Sequence, residues 1–290
     1  MIGSSAPAAD VGDGADEPIL VAASLSGESD AAWARAAADH VDCAVLGGIA
    51  IDPTSREAAR DLVARGRSEF LPEDPIAWID RQVRALADSP VRPGVNVRSA
   101  TVEPVREAAA VCADRGAICE INAHCRQPEL RAAGCGETLL ADRDRLADYV
   151  AAAVETGAAT SVKVRAEVEG VDLAAVARAV AEAGAEWIHV DAMDSEAVVA
   201  EVSAAARSAA AGAFASAETD APALPTVVAN NGVRGRETVR EYAAYGADAV
   251  SVGRPSDDPR VLSRVADAVA DWRAGDLLDR SDGREREVSR

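Results

Sequence analysis

Eight short apolar runs alternate along the chain with longer, Ala-rich segments in which apolar residues recur at helical spacing. Residues 142–155 and 173–183 are two of these helical segments, and several segments are followed by Gly, which commonly ends a helix. Strands that alternate with helices form parallel βαβ units. Eight such units within about 250 residues predict a single-domain α/β protein, a (β/α)8 TIM barrel. The apolar runs are residues 19–23, 43–48, 94–97, 118–122, 160–164, 187–190, 226–230 and 249–253.

The competing arrangement is a doubly wound open sheet, which commonly binds a dinucleotide through a Gly-x-Gly-x-x-Gly turn after its first strand. No such turn follows the run at 19–23, and its absence favours the barrel. The barrel is expected to span residues 18–275, between a disordered, Gly-rich leader at 1–17 and a charged tail at 276–290. The Ala/Ser/Thr-rich stretch at 206–223 is expected to form a long loop before the seventh strand.

The chain is strongly acidic, with 49 Asp and Glu against 30 Lys and Arg, a formal net charge of -19 and a pI near 4.6. Such a surface repels nucleic acid at low ionic strength, since phosphate binding normally needs a basic face. The acidity and the scarcity of Lys favour adaptation to concentrated salt, where screening weakens the self-repulsion. No apolar run approaches the roughly 18 residues of a membrane helix, so no membrane contact is expected. Five irregularly spaced cysteines are typical of reduced thiols in the cytoplasm.

Polar side chains follow six of the eight predicted strands, at the ends where a (β/α)8 barrel carries its chemistry. Lys163 is the most informative of them, because it is the only lysine in the chain. A lysine inside a barrel is costly unless it is paired with an anion or a polar ring. We therefore expect Lys163 to contact a bound cofactor or a phosphate. The other strand-end candidates are Asn96, Arg98, Asn122, Cys125, Arg165, His189, Asp191, Asn230, Asn231 and Arg254.

The segment EINAHCRQPELRAAGCGETLLADRDRL, residues 120–146, is the most specific stretch of the chain. It resembles the loop after the fourth strand of the tRNA-dihydrouridine synthase family, which reads Asn-x-Gly-Cys-Pro, then a Gly-rich turn and a Thr-Leu-Leu helix start. Three further blocks occur in the same order as in that family. Residues 161–165 resemble its flavin-lysine strand, 227–233 its Ala-Asn-Gly strand and 246–254 its phosphate-binding last strand.

The resemblance implies an FMN-dependent oxidoreductase that reduces the C5=C6 bond of uridine in tRNA, with NAD(P)H as the reductant. It implies that Cys125 is the catalytic acid, which protonates C5 while hydride passes to C6. Arg126 and Arg165 are the expected substrate contacts. They belong to an arginine patch expected at the barrel mouth, Arg126, Arg131, Arg165, Arg234 and Arg236. The resemblance and the strand-end positions together predict these cofactor-binding residues: Asn96, Asn122, Lys163, His189, Asn231, Gly232, Gly253 and Arg254. Asp191 is the alternative to His189, and Asn230 the alternative to Asn231 and Gly232.

The loop departs from the family pattern at three positions. His124 and Arg126 replace the family's Gly and Pro, and Cys135 stands where the family has Gly. A histidine next to the reactive thiol either activates it or only fills space. No metal site is expected, because His124, Cys125 and Cys135 do not have the spacing of zinc ligands.

Two alternative functions stay open at this level. Only about 35 residues follow the eighth strand, too few for the helical RNA-binding domain that ends the family's chains. This favours a flavoenzyme similar to dihydroorotate or dihydropyrimidine dehydrogenase, acting on a free pyrimidine. The second alternative is a non-redox barrel that binds a phosphorylated metabolite through Gly232, Gly253 and Arg254.

Overall fold

Eight parallel strands close into a barrel in the computed structural model, which describes residue 17 and residues 19–214 and 224–279. The strands are β1 Ile19–Ala22, β2 Cys43–Ala50, β3 Arg92–Arg98, β4 Ile118–Asn122, β5 Ala159–Arg165, β6 Trp187–Asp191, β7 Thr226–Asn230 and β8 Ala249–Val252. Each strand pairs with the next one along the chain, and β8 pairs with β1. Every predicted run lies on a strand, so the (β/α)8 barrel is confirmed and the open sheet is excluded.

Helices surround the barrel and connect its strands. Those of the described residues are α1 Ala31–Ala37, α2 Pro53–Ala64, α3 Pro75–Arg84, α4 Glu103–Asp114, α5 Pro128–Ala132, α6 Glu137–Ala141, α7 Arg143–Val154, α8 Leu173–Glu182, α9 Val198–Phe214, α10 Arg236–Ala244, α11 Pro259–Arg273 and α12 Asp276–Asp279, with a 3-10 helix at Arg254–Asp257. Gly116, Gly157, Gly184 and Gly246 follow α4, α7, α8 and α10 with φ between 66° and 95°, a conformation that favours glycine. The predicted helix ends are therefore confirmed.

The prediction of a long loop at 206–223 is wrong for its first half, because residues 206–214 continue α9. Alanine has the highest helix propensity of any residue, so an Ala-rich stretch forms helix readily where a neighbour can cover it. That neighbour is α8, which packs against α9, and Ala205 and Ala206 are buried. Residues 215–223 lie outside the described residues.

The predicted leader and most of the predicted tail also fall outside the described residues, apart from residue 17 and residues 276–279. The latter form α12, whose Leu277 is fully buried against the barrel's outer layer. In the part of the chain that the structure describes, no helix is both long and apolar enough to span a bilayer.

The barrel interior changes from apolar to polar along its axis. Val21, Ile118, Trp187 and Val228 belong to an apolar cluster near the strand starts. Because side chains on a strand alternate between its two faces, the face that carries Ile118 next carries Glu120 and then Asn122. The carboxyl ends of the strands therefore enclose a polar interior, which holds the candidate site.

Candidate active site

Glu120 is the centre of a hydrogen-bonded network inside the barrel. Its Oε1 accepts from Asn96 Nδ2 at 2.7 Å, while Oε2 accepts from His189 Nδ1 at 2.7 Å and from Ser161 Oγ at 3.3 Å. All four side chains are at most 1% exposed. A buried carboxylate is tolerated when donors surround it, and Glu120 has three.

The protonation states in this network follow from its partners. Burial raises the pKa of Glu120, but His189, Lys163 and the hydrogen bond from Asn96 outweigh it and lower the pKa to about 2. Burial and then Lys163 lower the pKa of His189, which favours the neutral ring. Neutral His189 donates from Nδ1 to Glu120, and its Nε2 accepts from the Ser251 hydroxyl at 2.7 Å. Ser251 Oγ in turn accepts from Asn230 Nδ2 at 2.6 Å, so the donors and acceptors are matched.

Lys163 lies on β5, in register with Asn122 on β4 and His189 on β6. It is 3% exposed, and burial lowers the pKa of its ammonium group while Glu120 and then Asp191 oppose that shift. Nζ makes no hydrogen bond or ion pair with the described residues, although the side chain lines a cavity. The charges of nearby carboxylates therefore favour the protonated form of the amine, and its donors are free for a ligand.

That cavity, here the lysine cavity, has a volume of about 600 Å³, within the range of about 300–1,000 Å³ typical of small-molecule sites. Gly232 and Gly253 line it at the ends of β7 and β8, and a Cβ built on either glycine would meet no atom within 4 Å. The exposed side chains of Arg234 and Arg254 lie along the same wall. The cavity thus combines a buried cation, an open glycine wall and two arginines.

A second cavity of about 390 Å³, here the cysteine cavity, contains Cys125 and Asn122. His124, Arg126, Arg165 and other residues line both cavities, so the two adjoin at the barrel mouth. One wall of the cysteine cavity is formed by a buried ion pair, Arg98 with Glu69 at 2.6 Å; Arg98 also donates to Ser26.

The Cys125 loop is positioned by the polar network. Asn122 Oδ1 accepts from the backbone N–H groups of Cys125 at 3.2 Å and His124 at 3.4 Å, while Asn122 Nδ2 donates to Asn96 Oδ1 at 2.7 Å. Gly136 closes the loop from the other side, since its φ is 60° and a Cβ there would lie 2.1 Å from the Cys125 carbonyl oxygen. A chain of hydrogen bonds therefore runs from Glu120 through Asn96 and Asn122 to the backbone of Cys125.

The two loop thiols differ in environment. Cys125 is partly exposed and lines the cysteine cavity. Cys135 is fully buried against Ala58, Leu62 and Leu130, and burial raises its pKa to about 12. Only the thiolate is a good nucleophile and the buried thiol is unreactive, so Cys135 is a packing residue.

The structure brings most predicted site residues to the two cavities: Asn122, Cys125, Arg126, Lys163, Arg165, Asn231, Gly232, Gly253 and Arg254. Asn96 and His189 lie one layer deeper and do not line either cavity. Of the expected arginine patch, Arg131 pairs with Glu137 and Arg236 pairs with Asp271, and neither lines the cavities. The patch is thus smaller than expected.

Sequence reasoning missed Glu120 and Ser251. The sequence did contain a signal for Glu120, which is a charged residue in the apolar run ICEIN. It lies two residues before Asn122, so both side chains are on the same face of the strand. The run AVSVG gave no signal for Ser251, because a single serine in a strand is common. Its role follows only from the barrel, which places its hydroxyl against His189. Within the described ranges, no three His, Cys, Asp or Glu side chains are grouped to hold a metal ion.

The chain is similar to known proteins in sequence and in fold. The uncharacterized protein MJ0144 of Methanocaldococcus jannaschii is 28% identical over 148 residues, which cover 50% of this chain and 57% of that protein. A mutant tryptophan synthase alpha-subunit from Pyrococcus furiosus matches with a TM-score of 0.50 at 11% identity, covering 90% of this chain and 99% of that one, and shows the fold alone. A tryptophan synthase complex from the same organism gives 0.49 at 12% identity, with the same coverage.

The family model described as dihydrouridine synthase matches residues 50–274. This match runs from the end of β2 through the Cys125 loop and Lys163 to the end of α11, and so includes most of the residues that line the two cavities. The chain therefore belongs to the dihydrouridine synthase family.

Proposed function

We propose that the protein uses FMN to reduce the C5=C6 bond of a pyrimidine, with uridine in tRNA as the substrate and NAD(P)H as the source of electrons. The observation that carries the proposal is the buried, unpaired ammonium of Lys163 in a cavity that adjoins the one containing Cys125. A cation beside a flavin ring tunes its electronics, and a thiol beside the substrate supplies a proton.

The lysine cavity fits FMN by its donor set. Gly232 and Gly253 leave open space where a side chain would otherwise project, so a phosphate can approach the backbone closely. Arg254 adds a positive charge beside these glycines, and Lys163 would face the flavin ring. The turn that carries Asn231 and Gly232 is held by the Tyr242 hydroxyl, which donates to the Asn231 carbonyl oxygen at 2.9 Å. Bound and reduced, FMN supplies the hydride that reaches C6 of the pyrimidine.

Cys125 would protonate C5 from the adjoining cavity. Its backbone is fixed by Asn122, so the thiol needs little reorganisation before it acts. Arg165 is held at the boundary of the cavities between Glu137 at 3.5 Å and Asp191 at 3.6 Å, and would contact the pyrimidine. Asn96 and His189 are positioning residues in this scheme, acting through Asn122 and Glu120.

The tRNA substrate is supported by the charge of the mouth. Arg126, Arg234 and Arg254 are exposed there, on a chain whose net charge is -19. A uridine in RNA must be unstacked and flipped to reach a buried site. With few phosphate contacts available, binding would be weak and only mildly reduced by salt. The unpaired cysteines fit a reducing cytoplasm as the place of the reaction.

The test is to purify the protein in high salt, record its visible spectrum and offer unmodified tRNA, free uridine, uracil and dihydroorotate to the reduced enzyme. Bound flavin and dihydrouridine in tRNA are the expected results. Turnover of a free pyrimidine with unchanged tRNA would assign the free-pyrimidine alternative instead. A colourless protein that turns over none of these compounds would overturn the flavoenzyme proposal.

Two cysteine variants test the assignment within the loop. Cys125→Ala should retain flavin but lower product formation by roughly 10²–10⁴-fold, the usual contribution of a positioned acid. Cys135→Ala is the matched control, because it removes a thiol from the same loop that is buried away from the cavity. A larger loss of product formation in Cys135→Ala than in Cys125→Ala would show that the two cysteines have been assigned to the wrong roles.

A further inference from the structure

His124 occupies an unusual place between the two cavities. It precedes Cys125 in the loop after β4, its ring lines both the lysine and the cysteine cavity, and its backbone N–H is directed at Asn122 Oδ1. The position corresponds to a glycine in the family's loop, so the ring is an addition to the site that the family pattern does not account for.

The two ring nitrogens of His124 are not equivalent. Nδ1 is sealed from solvent and has no hydrogen-bond partner, whereas Nε2 is not enclosed in this way and has access to the cavity. A buried N–H without an acceptor loses its hydration with no compensation. Nδ1 stays unpaired in either tautomer, but a proton on Nε2 places the only N–H of the neutral ring where a ligand can accept from it.

The surroundings of His124 keep the ring neutral. Burial lowers the pKa of His124 well below its ordinary value, and Lys163, Arg98, His189 and Arg165 lower it further. These groups face the ring from β3, β5 and β6, and Glu120 and Asp191, the nearest carboxylates of the network, are engaged with His189 and Arg165. At pH 7 the side chain is thus a neutral donor close to the cations Lys163, Arg98 and Arg165.

We propose that His124 is a catalytic residue whose neutral Nε2–H donates a hydrogen bond to the C4 carbonyl oxygen of the pyrimidine. The proposal rests on the proposed function and adds a role for this residue. C4 is bonded to C5, the atom that Cys125 protonates, so consecutive residues of the loop would contact neighbouring parts of the substrate.

The chemistry explains why a donor is useful there. FMN, when bound and reduced, would supply hydride to C6. The electron pair of the C5=C6 π bond would then move onto C5 and the C4 oxygen. The hydrogen bond from His124 stabilises the negative charge on that oxygen. Cys125 then transfers its proton to C5 and is left as a thiolate, while His124 keeps its own proton throughout.

Three substitutions separate this role from simple packing. His124→Gln places an amide N–H near the position of Nε2, His124→Asn places one near Nδ1, and His124→Ala removes both. The oxidation of reduced flavin by the pyrimidine should slow by roughly 10²–10³-fold in the Ala and Asn variants, but by only about tenfold or less in the Gln variant. Reduction of the bound flavin by NAD(P)H, measured in the same preparations, is the reference rate for each variant, so that a loss of bound flavin is not counted as a loss of pyrimidine reduction.

The second measurement does not depend on the substrate. The chain has three histidines, so ¹⁵N-histidine NMR of the whole protein, assigned by loss of one signal set in His124→Gln, reports the state of each ring. A neutral Nε2–H tautomer from about pH 8 to about pH 5.5 is expected. An imidazolium or an Nδ1–H tautomer at pH 7 would overturn the proposal, as would equal rates for the Gln and Asn variants. Absence of any pyrimidine reduction by the unmodified protein would instead refute the proposed function, and the NMR would still decide the state of His124.

Discussion

Glu120→Gln is the substitution that most directly tests the network beneath the site. The carboxylate accepts from Asn96, Ser161 and His189, and its charge opposes the effect of burial on the pKa of Lys163 more strongly than Asp191 does. A glutamine has nearly the same shape but carries one carbonyl oxygen and one NH2 group. That NH2 group would face donors where Glu120 has an acceptor, and Lys163 would lose the negative charge nearest to it.

The expected loss follows from the pKa of Glu120. A carboxyl whose pKa is lowered from its ordinary 4.5 to about 2 on folding stabilises the folded state by about 3 kcal/mol at neutral pH. The same order of magnitude, about 3–5 kcal/mol, is typical of breaking a buried charged pair. Because the neutral His189 contributes a hydrogen bond but no charge at pH 7, we expect Glu120→Gln to lower the free energy of unfolding by up to about 3 kcal/mol.

The contribution of Glu120 to stability should decrease as the pH falls. Because folding lowers the pKa of Glu120, its contribution is complete above about pH 5 and is lost as the pH falls towards about 2. Urea unfolding at constant salt, measured at pH 7 and at several lower values, should show the difference between the two proteins shrinking over this range. Glu182→Gln, the same substitution at an exposed position on α8, is the control and should change stability by less than about 0.5 kcal/mol.

A difference of about 3 kcal/mol that stays constant between pH 7 and pH 3 would refute the reasoning, because it would come from shape or packing and not from the ionised carboxylate. So would a Glu120→Gln variant as stable as the parent protein. In the expected case the variant should also lose activity, since the Cys125 loop is held through Asn96 and Asn122.

Three further predictions concern ligand binding. Lys163→Arg keeps the charge but places a planar guanidinium in the lysine cavity, so the Kd for FMN measured by fluorescence titration should rise by roughly tenfold or more. Gly253→Ala should leave stability within about 0.5 kcal/mol, because its Cβ meets no atom, yet raise the Kd for FMN by projecting a methyl group into the cavity. Arg126→Ala with Arg234→Ala should weaken tRNA binding in a filter assay at high salt, whereas Arg236→Ala, which removes an arginine paired with Asp271, should not.

The sequence by itself determined the architecture, because strands and helices are specified by the spacing of apolar residues along the chain and by local signals at their ends. Apolar runs with flanking helical segments, and glycines at the helix ends, were sufficient for eight βα units, and one lysine at a strand end was sufficient to mark the site. The family blocks pointed to Cys125 and to the glycines after β7 and β8, which the proposed function uses, since residues that chemistry requires recur at fixed spacing within a single loop or strand.

Only the tertiary structure decided how deep each polar residue lies and what it contacts. Strand periodicity tells which face a side chain occupies, but the register between strands and their tilt to the barrel axis together set its height, so residues in register on successive strands lie at different depths. For that reason Asn96 and His189, which look like Asn122 and Lys163 in sequence, form a layer beneath the cavities with Glu120. The same holds for residues 206–214, where low complexity indicated a loop and contact with α8 made it helix. Such outcomes depend on partners distant in sequence, and the chain's own pattern carries no local signal for them.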